Sequence, residues 1–278
     1  MGYEVLIGDC IESMKKLPDE SVDMCVTSPP YYALRNYNNN PKQIGLEPTL
    51  GQYIENMVAV FTEVHRILKP HGTLWLNLGD SYNGSGGAGG DYNPGGIKEG
   101  QPKYTGRNEP NLKRKDLMGV PWRVAFALQD AGWWLRQDII WAKPNCMPEA
   151  VKDRCTKAHE YIFLFSKSKS YFFDHEAIRT PTSNKRSVWD VSPKPYPEAH
   201  FAVYPPELIE PCVLAGCPVG GTVLDPFGGS GTTAGVAIKY GRKAILCELN
   251  EEYAVLIPAR IKAIAEIAVS LDDEREWL

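Results

Sequence analysis

The 278-residue sequence has no Cys-x-x-Cys pair, and its seven cysteines are scattered and odd in number. This excludes a disulfide framework and the spaced thiolate sets of structural zinc sites, and predicts reduced, mostly buried thiols. The nearest approach to a ligand set is Cys146, Cys155 and His159, whose spacing matches no standard pair, so no metal site is expected. No stretch approaches the roughly 18 consecutive apolar residues of a membrane span. The opening MGYEVLIGDC also lacks a basic segment leading into a long apolar one. A cytoplasmic protein without membrane contact is the expectation.

An overall excess of positive charge is also missing, since the net charge is −4. The total conceals an asymmetry. Residues 98–186 hold 17 Lys/Arg against 10 Asp/Glu, a net of +7, which leaves −11 on the remainder. A chain that touches phosphates with one face has this footprint, although unrelated solvated surfaces would give the same count.

What the sequence does have is enough apolar content, 43%, to bury a large core without disulfides. The runs YEVLI, VDMCVT, TLWLNL, DIIWA, YIFLF, TVLDPF and KAILCE read as strands. Their near-continuous apolarity suits a mainly parallel sheet covered on both faces, hence an α/β fold. Helical spacing predicts a helix over 51–68 ended by KPHG, a second over about 231–240, and a third over about 250–268 kinked at Pro258. Residues 83–116 are rich in Gly, Asn and Lys, and residues 166–199 mix basic and aromatic side chains. Neither resembles a linker between complete domains. They read as excursions from one sheet, so the whole chain, 1–278, is expected to form a single domain.

Two stretches carry chemistry. In TSPPYY (27–32), two prolines stop an apolar strand from continuing and freeze the backbone just before two aromatic rings. In VLDPFGGSGTTAG (223–235), a strand ends on an acid and a glycine-rich turn leads into a helix, whose free N–H groups and open backbone suit a ligand. Glu248 ends the next strand, 17 residues beyond Gly231, where an acid suits the ribose hydroxyls of a nucleoside cofactor. Gly229, Gly231 and Ala234 also satisfy a G-x-G-x-x-A pattern, so an NAD-dependent oxidoreductase and an empty tight turn stay open on this motif alone.

TSPPYY followed far downstream by DPFGGSGTT resembles the S-adenosylmethionine-dependent DNA amino-methyltransferases in their permuted, beta-group order. GDCIESMKKLPDESVDMCV, LKPHGTLWLNLGDSY, DIIWAKPN, KAHEYIFLF, HFAVYPPELIEPCVLAGCPVGG and AILCELN extend the likeness over most of the chain. The resemblance implies a Rossmann-like fold with a mainly parallel seven-stranded sheet, helices on both faces and circularly permuted motifs. It implies S-adenosyl-L-methionine as cofactor and double-stranded DNA as partner. A companion restriction endonuclease and a homodimer are left open.

The exocyclic amino group of a base is a poor nucleophile because its lone pair is delocalised into the ring. In the resemblance, the Ser28 hydroxyl and the Pro29 carbonyl accept its hydrogens, Pro29-Pro30 pre-sets the carbonyl direction, and Tyr31 offers a ring face to the flipped base. No general base is needed, and the proton leaves to water after methyl transfer. Tyr32 lines the pocket or packs beneath it. Asp225, Phe227, Gly229, Gly231 and Glu248 are implied cofactor residues, with His200 and Pro205 as further candidates. Asp9 either lies near the adenine or is an exposed turn acid.

DNA contacts are expected from Lys113, Arg114, Lys115, Lys185 and Arg186 in the excursions. Lys143, Arg154 and His159-Glu160 lie along the cleft, where either ligand contact or buried ion pairs explain them. Trp189 is the tryptophan singled out in the second excursion. Serine at the first motif position resembles the cytosine-N4 enzymes, and adenine-N6 remains the alternative. A catalytically silent nucleic-acid-binding module has no reason to keep both motifs.

Overall fold

Each apolar run read as a strand is one in the computed structural model, which describes residues 2–34, 40, 42–84, 108–146, 148–194 and 204–273, the last few without side chains. The strands are β1 (Tyr3–Ile7), β2 (Val22–Thr27), β3 (Leu68–Leu78), β4 (Trp134–Ala142), β5 (His159–Ser166), β6 (Val188–Asp190), β7 (Thr222–Asp225) and β8 (Lys243–Glu248). The helices are α1 (Cys10–Met14), α2 (Leu50–Ile67), α3 (Val120–Asp130), α4 (Pro206–Gly216), α5 (Thr232–Lys239), α6 (Glu251–Ala254) and α7 (Ile257–Asp273).

One sheet contains all eight strands, in the order β1-β8-β7-β2-β3-β5-β4-β6. Only β5 runs against its neighbours, β3 and β4, so the sheet is mainly parallel as expected. The expected count of seven is corrected by β6, which pairs Val188, Trp189 and Asp190 with Ile140, Trp141 and Ala142. This short strand lay hidden inside the basic second excursion. Trp189 is 6% exposed and its indole N–H donates to the Arg186 carbonyl at 2.7 Å, so the ring belongs to the core and not to a surface facing DNA.

Two apolar layers cover the sheet. Cys10 and Met14 of α1, Tyr53, Met57, Phe61 and Val64 of α2, and Val124 and Leu128 of α3 pack one face. Leu208, Ile209 and Val213 of α4, Val236 of α5 and Ile257, Ile261 and Ile264 of α7 pack the other. Burying apolar surface on both faces explains the continuous rather than alternating apolarity of the central strands.

The helix expected over 51–68 does end ahead of KPHG, at Ile67, and β3 begins directly at Leu68, with residues 69–72 bulging out before pairing with β2 resumes at Thr73. Pro70 has no N–H for the ladder, which suits a bulge. Pro258 does not kink a long helix. It is the second residue of α7, after the separate α6, where its missing N–H has no intrahelical partner to lose.

Candidate functional site at the carboxyl edge of the sheet

The parallel strands β1, β8, β7, β2 and β3 all end on one edge, and antiparallel β5 begins there, since Leu78 faces Tyr161 and Ala142 of β4 faces His159. From β7 the sheet builds outward through β8, and from β2 it builds the other way through β3. Strand order therefore reverses between β7 and β2, the crevice where open α/β sheets bind ligands. The two sequence motifs, nearly 200 residues apart, end up side by side at this point. Thr27 at the end of β2 donates its hydroxyl proton to Asp225 at the end of β7, 2.6 Å away.

Asp225 is 1% exposed. Besides Thr27, its carboxylate takes the Phe227 N–H at 3.0 Å, the Tyr204 hydroxyl at 3.0 Å and the Thr233 hydroxyl. Burial raises its pKa, and these donors oppose the rise. One acid thus ties β2, β7, α5 and the chain leading into α4 together. The turn that follows places Gly229 and Gly231 at positive φ, 51° and 91°. A Cβ on Gly229 would meet nothing nearer than the Phe227 carbonyl at 3.9 Å, and one on Gly8 would meet nothing within 4 Å. The backbone here is open to a ligand.

Glu248 clamps this turn. Its two oxygens accept the Gly229 N–H at 2.7 Å and the Asn250 N–H at 2.8 Å. Burial pushes its pKa up while those backbone donors pull it down. Asp9 lies beside it, because the Gly8 N–H donates to the Glu248 carbonyl at 2.8 Å. There the Asp9 carboxylate caps α1 through the Glu12 N–H at 3.0 Å, a role the sequence reading did not foresee. Ser230 and Thr232, each 2% exposed, have buried hydroxyls with no partner among the described residues. Unpaired buried hydroxyls are costly, and a polar ligand in this turn would satisfy them.

The TSPPYY turn is gripped from below. Tyr53 of α2, fully buried, donates its hydroxyl proton to the Pro30 carbonyl at 3.0 Å, and the Ala33 N–H donates to the Gly45 carbonyl at 2.8 Å. With the Pro30 carbonyl taken, the Pro29 carbonyl has no donor among the described residues. Tyr32 is 1% exposed, donates to Glu109 and lies 5.4 Å from the Tyr53 ring, so it packs beneath the site. The Tyr31 hydroxyl meets Glu160 at 2.7 Å, Asn77 at 3.1 Å and Ser28 at 3.4 Å.

Lys143 forms an ion pair with Glu160 and lies 4.0 Å from the centre of the Trp141 ring. Arg154 pairs with Glu149 and covers the Tyr82 ring. The Lys143 pair is part-buried and the Arg154 pair lies at the surface. The His159 ring meets Tyr161 edge-on. Lys113, Arg114 and Lys115 are exposed, Lys115 in an ion pair with Asp153 at 2.6 Å. Lys185 and Arg186 are exposed too, and Lys185 reaches over Trp189.

The neck of the first excursion is closed by Asn83, whose amide donates to the Leu112 carbonyl at 2.8 Å and accepts the Glu109 N–H at 2.8 Å. Most of that excursion, the end of the second, and His200 lie outside the described residues. Pro205 stands at the start of α4. Among the described residues, no cluster of His, Cys, Asp and Glu could hold a metal, and no helix is long and apolar enough to cross a membrane. Tyr53, Asn77 and Tyr204 were missed by sequence reading, because nothing local marks a tyrosine or asparagine as reaching a distant strand end.

A family model described as DNA methylase, of the N6/N4 methyltransferase type, matches residues 22–258. Among curated relatives, the Type II methyltransferase M.SmaI of Serratia marcescens is 49% identical over 266 residues, 93% of this chain and 90% of its own. The Type II methyltransferase M.XycI of Xanthomonas campestris pv. cyanopsidis is 48% identical over 270 residues, 94% and 88% of the two chains. Among solved structures, PvuII DNA methyltransferase (cytosine-N4-specific) superposes with a TM-score of 0.73 at 21% identity, covering 96% of this chain and 92% of that one. A DNA modification methylase from Thermus thermophilus, complexed with S-adenosyl-L-methionine, gives a TM-score of 0.67 at 26% identity over 95% and 96%.

Proposed function

The chain belongs to the N6/N4 DNA methylase family, and on that premise we propose that it methylates N4 of a flipped cytosine within a specific double-stranded sequence. It is an S-adenosylmethionine-dependent DNA methyltransferase with a Rossmann-like fold. The oxidoreductase and silent-module readings are set aside.

The residues at the β7 end fit the cofactor. Ser230 and Thr232 offer the two unpaired buried hydroxyls to its amino-acid end, Glu248 keeps lone pairs for the ribose, and Phe227, Gly229 and Gly231 form the open floor. Asp225 acts by holding this floor against β2. The bound cofactor supplies an electrophilic methyl group on a sulfonium centre. The TSPPYY turn supplies the acceptors: the Ser28 hydroxyl and the Pro29 carbonyl face the amino hydrogens, localise the nitrogen lone pair and align it for attack.

The observation that carries the cytosine reading is Ser28, a neutral hydroxyl at the first position of the turn, beside a Pro29 carbonyl with no donor among the described residues. The fold-level likeness to a cytosine-N4-specific enzyme agrees with it. We place sequence recognition in the excursions at 83–116 and 166–199 of a single catalytic domain, with Lys113, Arg114, Lys115, Lys185 and Arg186 on phosphates. A companion restriction endonuclease is the partner suggested by relatives named Type II methyltransferases. The test is nucleoside mass spectrometry of DNA from a methylation-free host expressing the protein. N4-methylcytosine is the expected product. N6-methyladenine in its place would overturn the base assignment.

A further inference from the structure

Tyr31 was expected to serve the flipped base through its ring face alone. The structure adds a function for its hydroxyl. That hydroxyl has one proton and several neighbours, and the nearest, at 2.7 Å, is Glu160 Oε2. The alternative acceptor, Asn77 Oδ1, is farther at 3.1 Å and uncharged. A charged acceptor at the shorter distance takes the proton. Once the proton points at Glu160, the Tyr31 oxygen presents only lone pairs to its third neighbour, Ser28 Oγ at 3.4 Å, so Ser28 must be the donor in that contact. Ser28 has then spent its only proton, and both its lone pairs are left for an incoming group. An acceptor is what an amino group requires.

We infer that Glu160 is a positioning residue that sets the polarity of a hydrogen-bond chain, Ser28 to Tyr31 to Glu160, so that Ser28 meets the target amino group as an acceptor. This rests on the catalytic reading of the turn. Three further observations support it. Glu160 divides its oxygens, Oε1 to the Lys143 ammonium and Oε2 to Tyr31 and to Asn77 Nδ2 at 3.3 Å, so its charge is balanced on the side away from Tyr31. Asn77 Nδ2 also donates to the Tyr161 carbonyl at 3.0 Å, which fixes the amide with its oxygen toward Tyr31 and leaves Ser28 as the donor there. Burial and the Glu160 charge keep the Tyr31 phenol far above its ordinary pKa, so it holds its proton at any working pH.

Gly79, just beyond β3, leaves room for the arrangement, since a Cβ there would sit 2.6 Å from Tyr31 Cε2. Glu160 and Tyr31 are 129 residues apart and meet only because β5 begins where β2 ends.

The test is a double-mutant cycle on the full chain. Glu160→Gln keeps the shape, but Lys143 has only protons to offer, so the amide oxygen turns to it and the NH₂ turns to Tyr31. The Tyr31 proton is then shared between Asn77 and Ser28, and the chain loses its single polarity. Single-turnover methylation should fall about tenfold, the size expected for a lost charge-assisted hydrogen bond. The KM for DNA and the thermal shift given by S-adenosylmethionine should stay at parental values. Tyr31→Phe, which keeps the ring, should fall by a similar factor, and the double variant should be no slower than Tyr31→Phe, because no hydroxyl remains to transmit the change. Gly79→Ala, which displaces the ring from Glu160, should lose turnover in the same way.

A parental rate for Glu160→Gln, or a double variant whose loss is the product of the two singles, would overturn the inference. Ser28→Ala, run alongside, separates the two levels. If it is impaired while Glu160→Gln is not, only the role of Glu160 falls. If Ser28→Ala turns over normally, the reading of the turn itself falls.

Discussion

Removing a single oxygen, in Tyr53→Phe, tests how the catalytic turn is held. The ring is fully buried and lies 5.4 Å from Tyr32, so phenylalanine keeps the packing. What is lost is the hydrogen bond to the Pro30 carbonyl at 3.0 Å. If water reaches that carbonyl, the cost is about 1 kcal/mol, and if it stays dry, about 3 kcal/mol. For a chain of this size, that lowers the melting temperature by roughly 2–5 °C. Burial, with the Glu47 charge adding to it, pushes the Tyr53 phenol far above its ordinary pKa. The deficit should therefore be the same from about pH 6 to about pH 9, on either side of neutrality. Turnover should fall several-fold, because a Pro30 carbonyl without its donor loosens the turn. The thermal shift given by S-adenosylmethionine should persist, since Tyr53 does not touch the β7 turn. Calorimetry with and without cofactor, paired with single-turnover methylation, reads both. Parental stability together with parental turnover would refute the idea that α2 grips the turn through this hydroxyl.

Three further perturbations probe other parts of the molecule. S-Adenosylmethionine should raise the melting temperature of the parent while NAD does not, and Glu248→Gln should lose much of that rise, because one side-chain oxygen cannot accept both the Gly229 and Asn250 N–H groups; an undiminished shift would show that the clamp is not needed. Burial raises the pKa of Asp23, but the hydrogen bond from Lys69, the Thr222 N–H, the Lys69 charge and His71 together bring it below the ordinary range. A lowered carboxyl pKa stabilises above the unfolded value and is lost as pH falls through the folded one, so Asp23→Asn should be less stable than the parent near neutral pH, with the gap closing below about pH 4; a gap unchanged with pH would count against the ionic account. Charge reversal at Lys113, Arg114 and Lys115 should weaken DNA binding and flatten its salt dependence without changing cofactor affinity; unaltered methylation at every salt concentration would take the first excursion off the DNA.

Much of the fold was legible because its signals are local. The apolar runs that became β1, β2, β7 and β8 needed no partner to be recognised, and the helical spacing marked α2 to within a residue. The rest was masked by local chemistry. α4 carries Pro206 and Pro211, which argue against a helix when read alone, and α3 has Pro121 as its second residue, close after the glycine-rich excursion. β6 is three residues long, too short for any periodicity to show.

The sequence by itself determined the class of chemistry. Two prolines at a strand end, and a glycine turn between an acid and a helix, are backbone requirements that only particular residue types meet, and so they survive as motifs. The tertiary structure alone decided which side chains complete the site. Asp225 meets Thr27 across 198 residues and Tyr31 meets Glu160 across 129 because the sheet order sets β7 beside β2 and brings the start of β5 to the same edge. A hydrogen bond between distant strand ends leaves no periodicity in either strand. Its partners are ordinary residues until the sheet places them about 3 Å apart.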